Sequence, residues 1–159
     1  MPSLSEGDKA PDFTLPADNN SEISLKSLKG KKIVLYFYPK DMTPGCTTES
    51  CDFRDHMGVL KKQGVAVIGI SRDSVERHDK FKAKHDLNFP LGADEDGAVC
   101  GKYGVWVEKS LYGRKFMGIE RATFLIGEDG KILKIWRKVK VKNHVREIID
   151  TLAAIKKAA

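Results

Sequence analysis

A chain of 159 residues, 41% hydrophobic and 31% charged, can bury roughly two-thirds of its unfolded surface in one compact domain spanning 1–159, which leaves little room for a second. No apolar run approaches the ~20 residues of a membrane-spanning helix, and the opening MPSLSEGDKAPDF lacks the charged-then-apolar pattern of a secretory leader, so a cytoplasmic protein with no membrane partner is expected. The net charge of +6 attracts anions in principle, but no stacking-aromatic motif or zinc-finger spacing accompanies it, and no nucleic-acid partner is expected.

The first strong signal along the chain is the continuous apolar and aromatic run at 33–38, which suits a strand buried on both faces. Residues 47–62 contain no proline and place Phe53, Met57 and Leu60 on one helical face, and a second apolar run at 65–70 completes a β-α-β unit. Residues 74–85 predict a helix capped by Ser74, with Val75 and Phe81 turned inward. A short strand follows at 88–91, bounded by Pro90. The runs 121–126 and 132–137, joined by the turn-forming 127–131, predict an antiparallel hairpin. Beyond it, Arg137, Lys138, Lys140 and Lys142 alternate with Val139 and Val141 as a solvated strand edge does. Val145, Ile148, Ile149, Leu152 and Ile155 then mark a closing helix at 143–157, with Asn143 as its cap. A parallel β-α-β half followed by a β-β-α half, after an N-terminal extension, is the plan of an α/β thioredoxin-like fold, with helices flanking a central mixed β-sheet.

Chemistry concentrates at 39–51, Pro39-Lys40-Asp41-Met42-Thr43-Pro44-Gly45-Cys46-Thr47-Thr48-Glu49-Ser50-Cys51, between the first buried strand and its helix. In open α/β sheets the carboxyl end of a strand meeting the amino end of a helix is a favoured place for a site. Cys46 falls in the first helical turn, where unpaired N–H groups and the helix dipole favour the nucleophilic thiolate over the thiol. Cys51 lies four intervening residues further on, unlike the Cys-x-x-Cys of disulfide-exchanging proteins. On an ideal helix such a pair is ~140° apart around the axis and ~7.5 Å along it, about 8.7 Å between Cα atoms. A disulfide usually needs Cα atoms within about 7 Å, so a bond between these two requires the first turns to unwind.

These residues carry a resemblance. Pro39-x-x-x-Thr43-x-x-Cys46 resembles the active-site signature of the peroxiredoxins, and Thr43-Pro44-Gly45-Cys46-Thr47-x-Glu49-x-Cys51 is similar to the bacterioferritin comigratory protein, or peroxiredoxin Q, subfamily. Gly7-Asp8-Lys9-Ala10-Pro11-Asp12-Phe13 and Arg121-Ala122-Thr123-Phe124-Leu125-Ile126 extend the likeness over nearly the whole chain. The resemblance implies a thiol-dependent peroxidase acting on hydrogen peroxide and organic hydroperoxides. Cys46 is then the peroxidatic cysteine, oxidised to a sulfenic acid, and Thr43 hydrogen-bonds thiolate and substrate. Arg121 steadies charge on the sulfur and the departing oxygen, Pro39 roofs the pocket, and Glu49 holds the network by hydrogen bonds. Cys51 is by the same resemblance the resolving cysteine, and the resulting Cys46–Cys51 disulfide is reduced by thioredoxin or a similar dithiol. The family implies a monomer with no metal or organic cofactor. Two other readings stay open on the residues alone: a thioredoxin-fold protein disulfide reductase, and a basic nucleic-acid-binding module.

The remaining candidates have plain structural readings. Cys100, among Gly97-Ala98-Val99 and Gly101, suggests a packed helical turn. His56, His78, His85 and His144 sit in charged amphipathic stretches and read as solvated surface residues, and Asp94-Glu95-Asp96 reads as an exposed loop. Trp106 and Trp136 read as packing or rim residues.

Overall fold

A computed structural model describes residues 4–158. In chain order its elements are β1 (Thr14–Ala17), β2 (Ser21–Ser24), a 3-10 turn (Lys26–Leu28), β3 (Lys32–Phe37), α1 (Pro44–Lys62), β4 (Val65–Ser71), α2 (Val75–His85), β5 (Leu91–Ala93), α3 (Ala98–Lys102), β6 (Trp106–Leu111), β7 (Arg114–Ile119), β8 (Ala122–Ile126), β9 (Ile132–Trp136) and α4 (His144–Ala158). Among the described residues seven strands form one sheet in the order β2-β1-β5-β4-β3-β8-β9, and β6 and β7 pair as a separate ribbon. β3, β4 and β5 run parallel, whereas the other pairings are antiparallel. The mixed α/β plan expected from the sequence is the plan observed.

β3 shows why its run never alternates with polar residues. Ile33, Leu35 and Phe37 pack with Phe124, Val99 and Tyr103 on one face of the sheet. Val34, Tyr36 and Tyr38 pack with Phe53 and Leu60 of α1, Phe81 of α2 and Ile148 of α4 on the other. Both faces are core, as in other strands covered by crossover helices. Tyr36 also fixes α1 on the sheet: its ring stacks on Phe53 at 4.6 Å between centroids, and its hydroxyl lies 2.8 Å from the Ser50 hydroxyl. Gly69, opposite Tyr36 in β4, makes the room, because a Cβ there would stand 2.8 Å from the Tyr36 hydroxyl.

Several expectations are corrected at their edges. The strand expected at 88–91 is displaced to Leu91–Ala93, since it is the apolar Leu-Gly-Ala stretch that pairs with β4. Arg137, Lys138, Lys140 and Lys142 do not form a strand edge: β9 stops at Trp136, Lys138 turns left-handed (φ 48°), and the Val139 amide bonds the Arg121 carbonyl at 3.0 Å. Ser74 caps α2 as expected, its hydroxyl accepting from the Arg77 amide at 3.2 Å. Phe81 is buried, whereas Val75 is only half-buried. Asn143 precedes α4 in a left-handed conformation (φ 63°), and its backbone carbonyl accepts from the Glu147 amide at 3.0 Å.

Candidate active site

The chain leaves β3 along the sheet's carboxyl edge, crosses 38–43, and enters α1 with Thr43 as N-cap residue and Pro44 in the first turn, where a missing N–H costs nothing. Cys46 is the third residue of that helix, so its amide and that of Gly45 have no intrahelical acceptor. The Cys46 side chain is 1% exposed. Arg121, immediately before β8, reaches it from the neighbouring strand, with Nη2 3.4 Å from Sγ. Gly45 permits this approach, because a Cβ at that position would lie 3.3 Å from the same nitrogen.

Arg121 also donates through Nη1 to Glu49 Oε1 at 2.6 Å. One guanidinium thus joins two residues spaced three apart on one face of α1, Cys46 and Glu49. Burial works against the Arg121 charge, but Glu49 and Cys46 outweigh it and raise its pKa above the usual arginine value. Glu49 is fully buried and its second oxygen, Oε2, has no hydrogen-bond partner. Burial therefore pushes its carboxyl up to about 7, against the opposing pull of Arg121. Water is largely excluded, so the charges act at strength.

The other expected site residues lie nearby with different degrees of engagement. Thr43 is half-buried, and its hydroxyl donates to the Lys40 carbonyl at 2.8 Å, which leaves only oxygen lone pairs for any further partner. Pro39 is half-buried and lines a pocket of about 400 Å³ together with Arg72, Trp106, Lys109, Phe116 and Met117. Cys51 is half-buried in the same unbroken helix as Cys46, and all three cysteines are free thiols. Cys100 is fully buried in α3, as its neighbours suggested.

Three expectations about polar residues are overturned. His78 and His144 are not solvated: they are 0% and 3% exposed, because each is hydrogen-bonded inside the core. His144 Nε2 lies 2.8 Å from the Thr123 hydroxyl between the rings of Phe53 and Trp136, and burial, with help from Arg121, lowers its pKa to about 4. His56 and His85 are half-buried. Asp94 is not part of an exposed loop, since its carboxylate accepts the Val99 and Cys100 amides at 3.2 and 2.8 Å; Glu95 and Asp96 are exposed as expected. Sequence reading also missed Tyr38, Asp41 and His78, which form one buried cluster directly behind the Cys46 loop.

A family model described as AhpC/TSA matches residues 6–135. The chain is 55% identical over 150 residues to the putative peroxiredoxin bcp of Coxiella burnetii, covering 94% of this chain and 99% of the relative. It is 52% identical over 146 residues to peroxiredoxin Bcp of Bacillus subtilis, covering 92% and 93%. The chain belongs to the AhpC/TSA family, as a peroxiredoxin of the Bcp type. Solved peroxiredoxins agree: peroxiredoxin Q of Xanthomonas campestris superposes with a TM-score of 0.86 at 43% identity, covering 89% of this chain and 90% of that one. A cysteine-to-serine variant of Xylella fastidiosa PrxQ gives 0.93 at 37% identity, covering 98% and 99%. The fold is thus the thioredoxin-like fold of peroxiredoxins, and this peroxiredoxin is a thiol peroxidase that consumes a peroxide and a reductant.

Proposed function

We propose that Cys46 is the attacking thiol of this peroxiredoxin, carried by one observation: the Arg121 guanidinium is held 3.4 Å from its sulfur by a part-buried 2.6 Å bond to Glu49. The Cys46 thiolate attacks one peroxide oxygen, the O–O bond breaks, and the second oxygen leaves as hydroxide or alkoxide that takes up a proton; the sulfur is left as a sulfenic acid. Arg121 faces the negative charge at the start and as it moves to the leaving oxygen. Thr43 offers a lone pair to the peroxide O–H, its own proton being committed to Lys40. Pro39, without an N–H, keeps water from one side of the sulfur. Glu49 orients the guanidinium.

Cys51 then condenses with the sulfenic acid, releasing water and forming a Cys46–Cys51 disulfide, for which the start of α1 must unwind. A dithiol such as thioredoxin returns both thiols by exchange. Both sulfurs belong to one helix, so a monomer working in the cytoplasm suffices. Organic hydroperoxides join hydrogen peroxide as substrates on two supports. The pocket beside Pro39 has an apolar side of Trp106, Phe116 and Met117, and the bacterioferritin comigratory protein of X. campestris was solved as a trapped intermediate/ligand complex bearing on its alkyl peroxide reduction activity.

Rapid mixing with hydrogen peroxide tests the reading. Trp106, with the Arg72 guanidinium 4.5 Å from its ring centre, borders the pocket and supplies the fluorescence signal. The reduced protein should react faster than free cysteine by orders of magnitude, and Cys46→Ser should abolish the reaction. Cys51→Ser should consume about one equivalent of peroxide and then stall with thioredoxin. Full turnover in either variant overturns the corresponding assignment.

A further inference from the structure

Behind the loop at 39–43 lies a second acid–base pair that the chemistry above does not use. Asp41 and His78 are both buried, and His78 Nδ1 stands 2.6 Å from Asp41 Oδ2. His78 Nε2 lies 2.9 Å from the Gly92 carbonyl, which can only accept, so Nε2 carries a hydrogen. The short Nδ1–Oδ2 contact must hold one further proton, whether imidazolium faces carboxylate or imidazole faces acid. Burial opposes the His78 charge, but the Asp41 hydrogen bond and charge prevail and raise its pKa. Tyr38 donates its hydroxyl to Asp41 Oδ1 at 2.6 Å, which completes the carboxylate. The Asp41 amide donates to Asp73 Oδ2 at 2.8 Å, and Ser71 donates to the same oxygen at 2.7 Å. No side-chain oxygen or nitrogen of Asp41 or His78 is left unsatisfied.

The cluster ties one loop to three elements: α2 through His78, β5 through Gly92, and the end of β4 through Ser71. The loop needs such ties. Met42 is left-handed (φ 67°), a conformation unfavourable for a residue with a side chain unless its surroundings impose it. Met42 is itself 38% exposed and supplies little packing of its own, so the restraint falls on Asp41, its neighbour. One residue further on, Thr43 is the N-cap residue of α1, three positions before Cys46.

We propose that the His78–Asp41 pair is a latch on the loop before Cys46: it holds the wound first turn of α1 that attacks peroxide, and so sets the balance between attack and the unwinding that lets Cys51 reach the sulfenic acid. His78 and Asp41 are positioning residues, acting through the loop. The inference rests on the Cys46–Cys51 reading above, and it predicts rates that move in opposite directions.

The test measures two rates in His78→Gln, which keeps a hydrogen-bonding amide but removes the shared-proton contact. Peroxide attack, isolated in a Cys51→Ser background, should slow about ten-fold, the size of one lost hydrogen bond to a charged group. Disulfide formation, followed with Cys51 present, should accelerate. Tyr38→Phe removes a single hydroxyl from Asp41 and should shift both rates in the same senses by a smaller factor. If His78→Gln does not fold, Tyr38→Phe decides the matter alone. Unchanged rates in the folded variants, or both rates falling together with the melting temperature, overturn the latch. Failure of the Cys46–Cys51 reading is seen separately, because the peroxide reaction would then survive Cys46→Ser, or multiple turnover with thioredoxin would survive Cys51→Ser.

Discussion

Cys46 and Cys100 are both hidden from solvent, one 1% and the other 0% exposed, yet their surroundings have opposite sign. Cys46 meets a guanidinium 3.4 Å away and the free amides of a helix start. Cys100 has the Asp94 carboxylate bound to its own amide at 2.8 Å, and burial together with Asp94 pushes its thiol far up, with Arg72 opposing. Burial raises a thiol's pKa and lowers its reactivity, and a neighbouring charge adds to that effect or opposes it. The two differ in the charge of the nearest ionised neighbour, supplied to Cys46 by a residue 75 positions away in sequence.

The largest expected difference is in chemical reactivity. In the native reduced protein, iodoacetamide should label Cys46 on the order of 100-fold faster than Cys100, and Cys100→Ala should leave peroxide consumption within about two-fold of the parent. Equal labelling would break the comparison. Next, Arg121→Gln removes the cation that distinguishes the two sites and should slow the peroxide step on the order of 100-fold, as loss of one preorganised donor does in other enzymes. An unchanged second-order rate would take Arg121 out of the mechanism.

Asp94→Asn attacks the comparison from the other side. It should cost about 1 kcal/mol of stability in denaturant unfolding, for one weakened hydrogen bond at the start of α3, and raise the labelling rate of Cys100. A Cys100 no more reactive than before would show that burial alone keeps it inert.

The smallest effect is in the pH dependence of stability. His144 has its folded pKa lowered to about 4, so its contribution is fully present above the ordinary histidine value and is lost as pH falls toward 4. Glu49, raised to about 7, contributes below the ordinary glutamate value and loses that contribution as pH rises toward 7. The two oppose each other across the mildly acidic range. Relative to the parent, Glu49→Gln should therefore lose stability more steeply on acidification from pH 6.5 to 4.5, and His144→Asn less steeply, in thermal unfolding.

Much of this was legible in the residues. Strands buried on both faces announce themselves by continuous apolar runs, as in β3 and β4, and amphipathic helices by their spacing. The ribbon of β6 and β7 was missed because its apolar residues are interrupted by charged ones and its strands are largely exposed; a local signal was Tyr112-Gly113, both left-handed at the turn (φ 51° and 78°). Asn19-Asn20 marked the β1–β2 turn in the same way (φ 59° and 54°). Of the site, the motif singled out Cys46, its place at the start of α1 and Arg121, and the fold brings the two side chains within 3.4 Å. The polar core was not. His78 and Asp41 lie 37 residues apart, and nothing in a charged amphipathic stretch says that one of its histidines faces inward onto a loop aspartate. Such pairs are set by tertiary contact rather than by local pattern.

Which sulfurs react decides the mechanism. One equivalent of hydrogen peroxide added to the reduced protein, followed by alkylation under denaturing conditions and peptide mass mapping, should give a Cys46–Cys51 bridge with Cys100 recovered as an alkylated thiol. A bridge that includes Cys100, or a Cys46 still reduced after the peroxide is consumed, would contradict it.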